Sequence, residues 1–448
     1  MLVHIIRLMM NIRLCVSKCR RGSENSMEQC YREEAVKIRR ILHTIPEEGW
    51  QEVRTTVFLI RVLEQYGYQL QYGKEIHGVR YGVPDQKVYE KLHERNKDVY
   101  EERFEDVFQG YTGVIAQLDT GREGEAVAFR FDLDGLAVSE CSGKEHMPSR
   151  EGFASQYPGS MHACGHDGHM AVGIALAHWV MVHKEELKGR FVFIFQPAEE
   201  GVRGAKSMLT SGRFPHIDRL FAMHIGLGME TGKIGVGTRG FLGSEHMNLY
   251  FHGQPSHSGN APEEGKNALL AAATAALAIH SLTQYRAGIA RANVGIMHAG
   301  TGHNVVPGEA VLGVNLRADQ EEILSDLHRR VEETVKGAAQ MFENQTELEM
   351  IGVSACYDHV NEAFAAQAEK VLKDAGFAVE RDPVFGASED VTMLMRQVEE
   401  DGGEALHLMI GAELAGNHHS GSFDFDESAL ALALDAYEVL IRYYAAVR

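Results

Sequence analysis

The sequence predicts an α/β fold: a mixed, largely parallel sheet covered by helices, interrupted by an inserted ferredoxin-like β-α-β-β-α-β unit. Three observations carry that expectation. The runs AVAFRFD (126–132), FVFIF (191–195) and RLFAMHIG (219–226) are almost continuously apolar, as strands buried on both faces are. Patterns of helical period lie between such runs. Near Gly243 the pattern changes to alternating strands flanking two helical stretches, and the first pattern resumes after residue 355.

Residues 31–45 and 55–68 read as amphipathic helices, with His43, Pro46, Glu47 and Trp50 in the turn between them. Residues 74–110 are highly charged. They are expected to be helical from Pro84 to Phe108, with a solvated face of alternating charge. Strands are expected at 112–119 and 126–132, a helix at 171–182, and strands at 191–195 and 219–226. The inserted unit takes a strand at 246–252, a helix at 267–282, strands at 292–299 and 309–317, a helix at 320–342 and a strand at 346–353. Helices at 361–376 and 388–398, a strand at 405–411 and a helix at 427–446 return to the first domain. The expected division is an extension over 1–26, a first domain over 27–243 and 356–448, and an inserted unit over 244–355.

Composition narrows the partners. The chain has 448 residues, 44% hydrophobic and 24% charged, as a soluble globular protein of two domains requires. A formal net charge of −19 argues against nucleic acid or an anionic membrane and leaves a small-molecule substrate. Cysteines at 15, 19, 30, 141, 164 and 356 make no disulfide framework in so long a chain, so a reducing cytoplasm is expected. MLVHIIRLMMNIRLCV is broken by Arg7 and Arg13 and is short for a bilayer span. It shows no small-residue cleavage site before KCRR, so residues 1–26 are expected to be disordered.

The chemistry concentrates in MHACGHDGHM, residues 161–170. Cys164 and His166 are two apart, which on an extended segment places both side chains on one side. Gly165 and Gly168 let the backbone bend close to whatever they hold. Thiolate and imidazole together suit zinc, manganese or another divalent transition ion. A lone Cys-x-His would read as a core cysteine beside surface histidines. Three other stretches shift that balance, because they end in Asp132 and Asp134, in Glu199–Glu200 after Pro197, and in His224. Ligands of open α/β sheets sit beyond the carboxyl ends of the strands. Asp132, Glu199, Glu200 and His224 are therefore expected at one crevice, joined by the Cys164–His166 loop. GNHHSGSFDFDE (416–427) supplies His418 and His419, one expected as a ligand and otherwise a solvated loop pair. No G-x-S-x-G elbow follows a strand, which disfavours a serine hydrolase.

The stretches GFASQYPGSMHACGHDGH, IFQPAEEGVRGAKSML, APEEGKNALLAAA, GTGHNVVPGEA, GASEDVTMLM and HHSGSFDFDE carry a resemblance. From Met27 to Arg448 the chain resembles the aminoacylase and carboxypeptidase G group of dinuclear metallopeptidases, metallopeptidase family 20. Within it, the chain is similar to the amidohydrolase subfamily marked by HACGHDxH and QPAEEG. The charged segment 74–110 also resembles one subgroup of that subfamily.

The resemblance implies that Cys164 bridges two metal ions, manganese or zinc. His166 and His224 would complete one site, and Glu200 and His419 the other. It makes Glu199 the general base and gives Asp132 a role in orienting a ligand. Asp134 and Asp167 admit that role or those of strand-end and helix-capping carboxylates. The inserted unit becomes a lid and dimerisation domain, from which His257 reaches the partner subunit's site. Asn304 and Arg317 would hold the substrate's carboxylate. The implied activity is hydrolysis of the amide bond of an N-acyl amino acid, p-aminobenzoyl-glutamate first among them. The implied assembly is a homodimer or a hetero-oligomer with a related B-type subunit. Alternatives are a broader N-acyl-amino-acid amidohydrolase or dipeptidase, and a weakly catalytic partner subunit, against which an intact Glu199 and ligand set speak.

Overall fold

The apolar runs form the middle of an eight-stranded sheet in the computed structural model, which describes residues 24–447. Its order is β1 (Gln69–Tyr72), β2 (Val114–Asp119), β4 (Arg190–Gln196), β3 (Ala126–Asp132), β5 (Arg219–Ile225), β14 (Glu404–Ile410), β6 (Lys233–Val236) and β13 (Ala378–Arg381). The central strands β4, β3, β5 and β14 are mutually parallel. Antiparallel pairing enters at β2 and at β6, so the sheet is mixed, as expected.

Helices cover it. α1 (Glu24–His43), α4 (His166–Val182) and α9 (Ser428–Ala445) pack together on one side, joined by α2 (Val53–Tyr66) and α7 (Glu362–Asp374). α4 reads HDGHMAVGIALAHWVMV and is buried nearly throughout, as a helix apolar on all sides must be. Gly173 brings it onto the sheet: a Cβ there would lie 2.5 Å from the Phe131 ring. Phe129 stacks between Phe193 and Phe221, at centroid distances of 5.5 and 5.7 Å. Burial of each such ring stabilises the fold by about 2 kcal/mol. α8 (Val391–Glu400) packs on β14 and β5 within a separate cluster of buried residues.

The inserted stretch forms a four-stranded antiparallel sheet ordered β12 (Gln345–Ser354), β7 (Gly243–His252), β11 (Glu309–Ala318) and β9 (Ala290–Ala299). α5 (Ala268–Ile279) and α6 (Glu321–Met341) join it in a core containing Met247, Leu249, Phe251, Leu312 and Leu316. Strand alternation then places His246, Asn315 and Arg317 on the opposite face. This is the β-α-β-β-α-β order. A small ladder of β8 (Ser256–His257) with β10 (Val305–Val306) accompanies it.

The structure departs from the sequence reading in three places. The helix expected over 84–108 is α3 (Gln86–Asn96), followed by short turns. It stops because the chain folds down onto a buried arginine: Asn96 Oδ1 accepts from Arg54 Nε at 3.1 Å, and Asp98 grips the same guanidinium. The segment packs on α2 through Tyr89, Leu92 and Asn96, while its charged residues Lys87, Glu90, Lys91, Glu94 and Lys97 stay exposed as the expected solvated face. β1, β6 and β13 were not anticipated, since four residues carry no readable period. Residues 1–23 of the expected extension lie outside the described residues, whereas Glu24 already belongs to α1. Cys30 is disulfide-bonded, and Cys141, Cys164 and Cys356 are free. Among the described residues no helix is long and apolar enough to cross a membrane.

Candidate metal centre

The crevice is built from strand ends. β3 delivers Asp132 and, two residues on, Asp134. β4 leads through Pro197 into the Glu199–Glu200 loop. This loop holds Ala198 and Val202 at φ of 52° and 53°, a region that side-chain-bearing residues seldom adopt. Two buried carboxylates fix it there. Asp134 accepts the Glu199 and Glu200 backbone N–H groups on its two oxygens, at 3.0 and 2.9 Å. Glu52 accepts the Ala198 N–H at 2.7 Å. Burial, with Asp134 nearby, pushes the Glu52 carboxyl up to about 8. Gly204 completes the turn, because a Cβ there would lie 1.7 Å from the Pro197 carbonyl oxygen.

Cys164 and His166 are not on an extended segment. Gly165 turns at φ 93°, and α4 begins at His166. His166 donates from Nδ1 to the Asp134 carbonyl at 2.8 Å, which leaves Nε2 3.8 Å from Glu199 and 3.9 Å from Glu200. His224 donates from Nδ1 to the Ile225 carbonyl at 2.9 Å, with Nε2 3.5 Å from Cys164 Sγ. His419 Nε2 lies 3.4 Å from Glu200. The donors form overlapping triads: His166–Glu199–Glu200, Cys164–Glu200–His419 and Cys164–His224–His418. Cys164 is common to the last two. His418 therefore stands in the cluster beside His419.

This donor set fits metal. His166 Nε2 and Glu200 Oε1 are buried without a hydrogen-bond partner, and such groups are normally satisfied. Burial first, then Glu389 and Glu200, pushes the Glu199 carboxyl well above its usual range. Burial raises Glu200 to about 8, and burial with both glutamates raises the Cys164 thiol. Cations on these atoms would neutralise the accumulated negative charge.

The surrounding acids divide by partner. Asp132 accepts from His169 at 2.7 Å and from Arg130 at 2.8 Å, and stands 3.8 Å from His166. His169 also accepts the Ile225 N–H, so both of its ring nitrogens are engaged. Asp167 points away from the donors, bonding Arg39 at 2.9 Å and His43 at 2.8 Å to tie α4 to α1. Sequence reasoning missed Glu52 and the buried pair Glu389–Asp390. Arg130 Nη2 lies 3.1 Å from each member of that pair. Asp390 also accepts from Gln196 and Ala205. The adjacent acids of GASED were the available signal.

A cleft of about 450 Å³ runs between these donors and the small sheet. Leu136, Leu227 and Phe385 supply apolar wall, and Cys164, Glu199, Glu389 and Arg317 line it as well. Arg317 donates to Asn315 at 2.9 Å and to Ser388 at 3.2 Å. His257 and Asn304 do not line this cleft. His257 is exposed, its Nδ1 accepting the N–H groups of Gly259 and Asn260 at 3.1 Å each. Asn304 is tied to the same turn through its carbonyl, which accepts the Ser258 N–H.

Fold and crevice together define a metal-dependent hydrolase. Residues 128–443 match the model of peptidase family M20/M25/M40. The chain is 39% identical over 412 residues to the indole-3-acetyl-aspartic acid hydrolase of Enterobacter agglomerans, covering 90% of this chain and 94% of that one. It is 39% identical over 406 residues to the A-type subunit of p-aminobenzoyl-glutamate hydrolase from Escherichia coli, covering 89% and 92%. An aminobenzoyl-glutamate utilization protein from Klebsiella pneumoniae superposes with a TM-score of 0.79 at 33% identity, covering 94% of this chain and 98% of that one. The chain belongs to peptidase family M20/M25/M40. The kinship carried by its motifs narrows to relatives named as hydrolases of N-acyl amino acids.

Proposed function

We propose that this protein hydrolyses the amide bond joining an aromatic acyl group to an acidic amino acid, with p-aminobenzoyl-glutamate as the first candidate. One observation carries the reading: Arg317 lines the same cleft as Glu199 and Cys164, with no carboxylate of its own chain on it among the described residues. A guanidinium so placed matches a substrate carboxylate, while Phe385, Leu227 and Leu136 match a flat acyl group. Both 39%-identical relatives are named for amides of an aromatic acid with aspartate or glutamate.

Cys164, His166, Glu200, His224 and His419 would hold two divalent ions, manganese or zinc, which when bound lower the pKa of a water and polarise a carbonyl. Glu199 takes the proton of the attacking water and passes it to the leaving amine nitrogen. Asp134 keeps both glutamates in place through their backbone N–H groups. Asp132 steadies His169 and, at 3.8 Å, the His166 ring. Arg317 aligns the amino-acid carboxylate.

The unit at 244–355 acts as lid and dimerisation domain between the two parts of the catalytic domain, 27–243 and 356–448. Its edge strand β9 exposes Ile296 and Met297, and α5 exposes Leu270 and Leu277, surface suited to a second protomer. His257 and Asn304 then serve the neighbour's site, His257 stabilising the oxyanion. The neighbour is a second copy or a related B-type subunit, since the Escherichia coli relative is named as one of the subunits of its enzyme. The free thiols of Cys141, Cys164 and Cys356 favour a reducing compartment such as the cytoplasm, against which the disulfide-bonded Cys30 stands.

The test is release of p-aminobenzoate by manganese-loaded protein, measured beside indole-3-acetyl-aspartate and N-acetyl-alanine. The expected order puts the two aromatic amides first. Preference for N-acetyl-alanine would favour the broader amidohydrolase reading.

A further inference from the structure

Amide hydrolysis makes demands on the leaving nitrogen as well as on the carbonyl. The water oxygen bonds to the acyl carbon, the C–N bond breaks with its electron pair going to nitrogen, and the nitrogen takes the water's proton from Glu199. That nitrogen must therefore come within hydrogen-bond reach of the Glu199 carboxylate, about 3 Å. It carries an N–H before the bond breaks. It becomes an ammonium group once the new carboxylic acid hands over its proton. A donor of either kind, shut away from water, needs an acceptor.

The acids beside Glu199 differ in what they have left to offer. An oxygen of Glu199, one of Glu389 and one of Asp390 lie within 4.8 Å of one another, close enough for one nitrogen to stand about 3 Å from two of them. Asp390 is spent: Oδ1 accepts from Arg130 at 3.1 Å and from Gln196 at 2.7 Å, and Oδ2 accepts the Ala205 N–H at 2.9 Å. Glu389 is spent on one side only. Its Oε1 accepts the Val391 N–H at 3.2 Å and meets Arg130 Nη2 at 3.1 Å, whereas Oε2 has no hydrogen-bond partner among the described residues. The residue is 2% exposed and lines the cleft with Glu199 and Arg317. Chain position adds a second constraint. Arg317 donates to Ser388 at 3.2 Å, and Ser388 directly precedes Glu389. The α-carboxylate and α-nitrogen of an amino acid share one carbon, so a carboxylate held by Arg317 keeps the nitrogen close to Glu389.

We propose that Glu389 accepts the hydrogen bond of the scissile amide N–H and then holds the departing ammonium group, which makes it a second catalytic carboxylate beside Glu199. This rests on the reaction proposed above and deepens it. An N–H pinned on Glu389 leaves the nitrogen's developing lone pair to face the proton on Glu199. An ester, with oxygen in place of the N–H, offers Glu389 nothing and gains nothing from it.

The experiment compares p-aminobenzoyl-glutamate with the matching ester of 2-hydroxyglutarate on the manganese-loaded wild type, Glu389→Ala and Glu389→Gln. Loss of a charged hydrogen-bonding partner in Glu389→Ala is expected to lower kcat/KM for the amide by ~10- to 100-fold. The ester should change little. Glu389→Gln keeps the shape and a neutral acceptor, so it should retain part of the amide rate. Calorimetry with free glutamate and free 2-hydroxyglutarate gives a readout independent of turnover: wild type should bind the ammonium-bearing glutamate more tightly, and both variants should lose that preference. Equal losses on amide and ester, with metal content preserved, would leave Glu389 as a mere anchor for Arg130 and overturn the proposal. An unchanged amide rate or an unchanged preference in calorimetry would overturn it too, and Glu389→Gln decides if Glu389→Ala does not fold. A wild type that turns over neither compound, yet binds glutamate over 2-hydroxyglutarate through Glu389, would count against the proposed reaction and for the ammonium site.

Discussion

The Cys164–Glu200 crevice and the His257–Asn304 ladder differ in what surrounds them. In the crevice, each donor is positioned by its own chain: His166 by the Asp134 carbonyl, His224 by the Ile225 carbonyl, and both glutamates by the Asp134 carboxylate. Glu199 is only 7% exposed. His257 stands in solvent, and its imidazole meets only backbone N–H groups of its own turn. Within the crevice His166 Nε2 and Glu200 Oε1 are buried without a hydrogen-bond partner, as metal-binding atoms would be. The His257 imidazole stands exposed on a stiff turn, with Pro255 and Pro262 flanking it. The difference separates donors held in place around the crevice from a histidine that meets nothing of the crevice among the described residues.

The largest effect expected is on the crevice. Cys164→Ala removes the donor shared by two triads, so bound metal and turnover should both fall to background. Elemental analysis showing unchanged metal would contradict this assignment. Next is Glu199→Gln, which removes a proton carrier while leaving the other donors. Its turnover should drop by ~10²- to 10⁴-fold with metal retained. Glu200→Gln should lose metal as well, and that contrast between adjacent residues is the sharper reading. His257→Ala should lower kcat by ~10²- to 10³-fold, the size of a lost oxyanion donor, with metal content at the wild-type level. Loss of metal in this variant would place His257 in the crevice and dissolve the comparison. The smallest effect falls on support: Asp134→Asn, which spoils one of two backbone bonds, should weaken metal affinity by ~10- to 100-fold. A metal titration that matches wild type would mean that Glu52 suffices to hold the loop.

The crevice was legible because strands that end in acids and histidines announce it. Asp132, Glu199, Glu200 and His224 each follow an apolar run, and parallel pairing brings the ends together. What escaped notice depends on tertiary contact. Glu52 begins a helix far from the loop that it holds, and Glu389 reaches the site from the turn before α8. His246 sits mid-strand in a unit whose open face could not be placed over the crevice from pattern alone. The two-residue spacing of Cys164 and His166 misled for a local reason: Gly165 turns the chain into a helix, where strand alternation no longer applies. The charged segment 74–110 misled on helix length alone, because Asn96 and Asp98 turn the chain down onto buried Arg54.

Subunit exchange between His257→Ala and Glu199→Gln tests the division of labour most directly. Each variant alone should be nearly inactive. Random exchange in a symmetric dimer makes half of the dimers mixed, each with one site carrying both defects and one carrying neither, so turnover should return to roughly a quarter of wild type. No recovery, with exchange verified by mass spectrometry of the mixed dimer, would mean that His257 acts within its own chain or not at all.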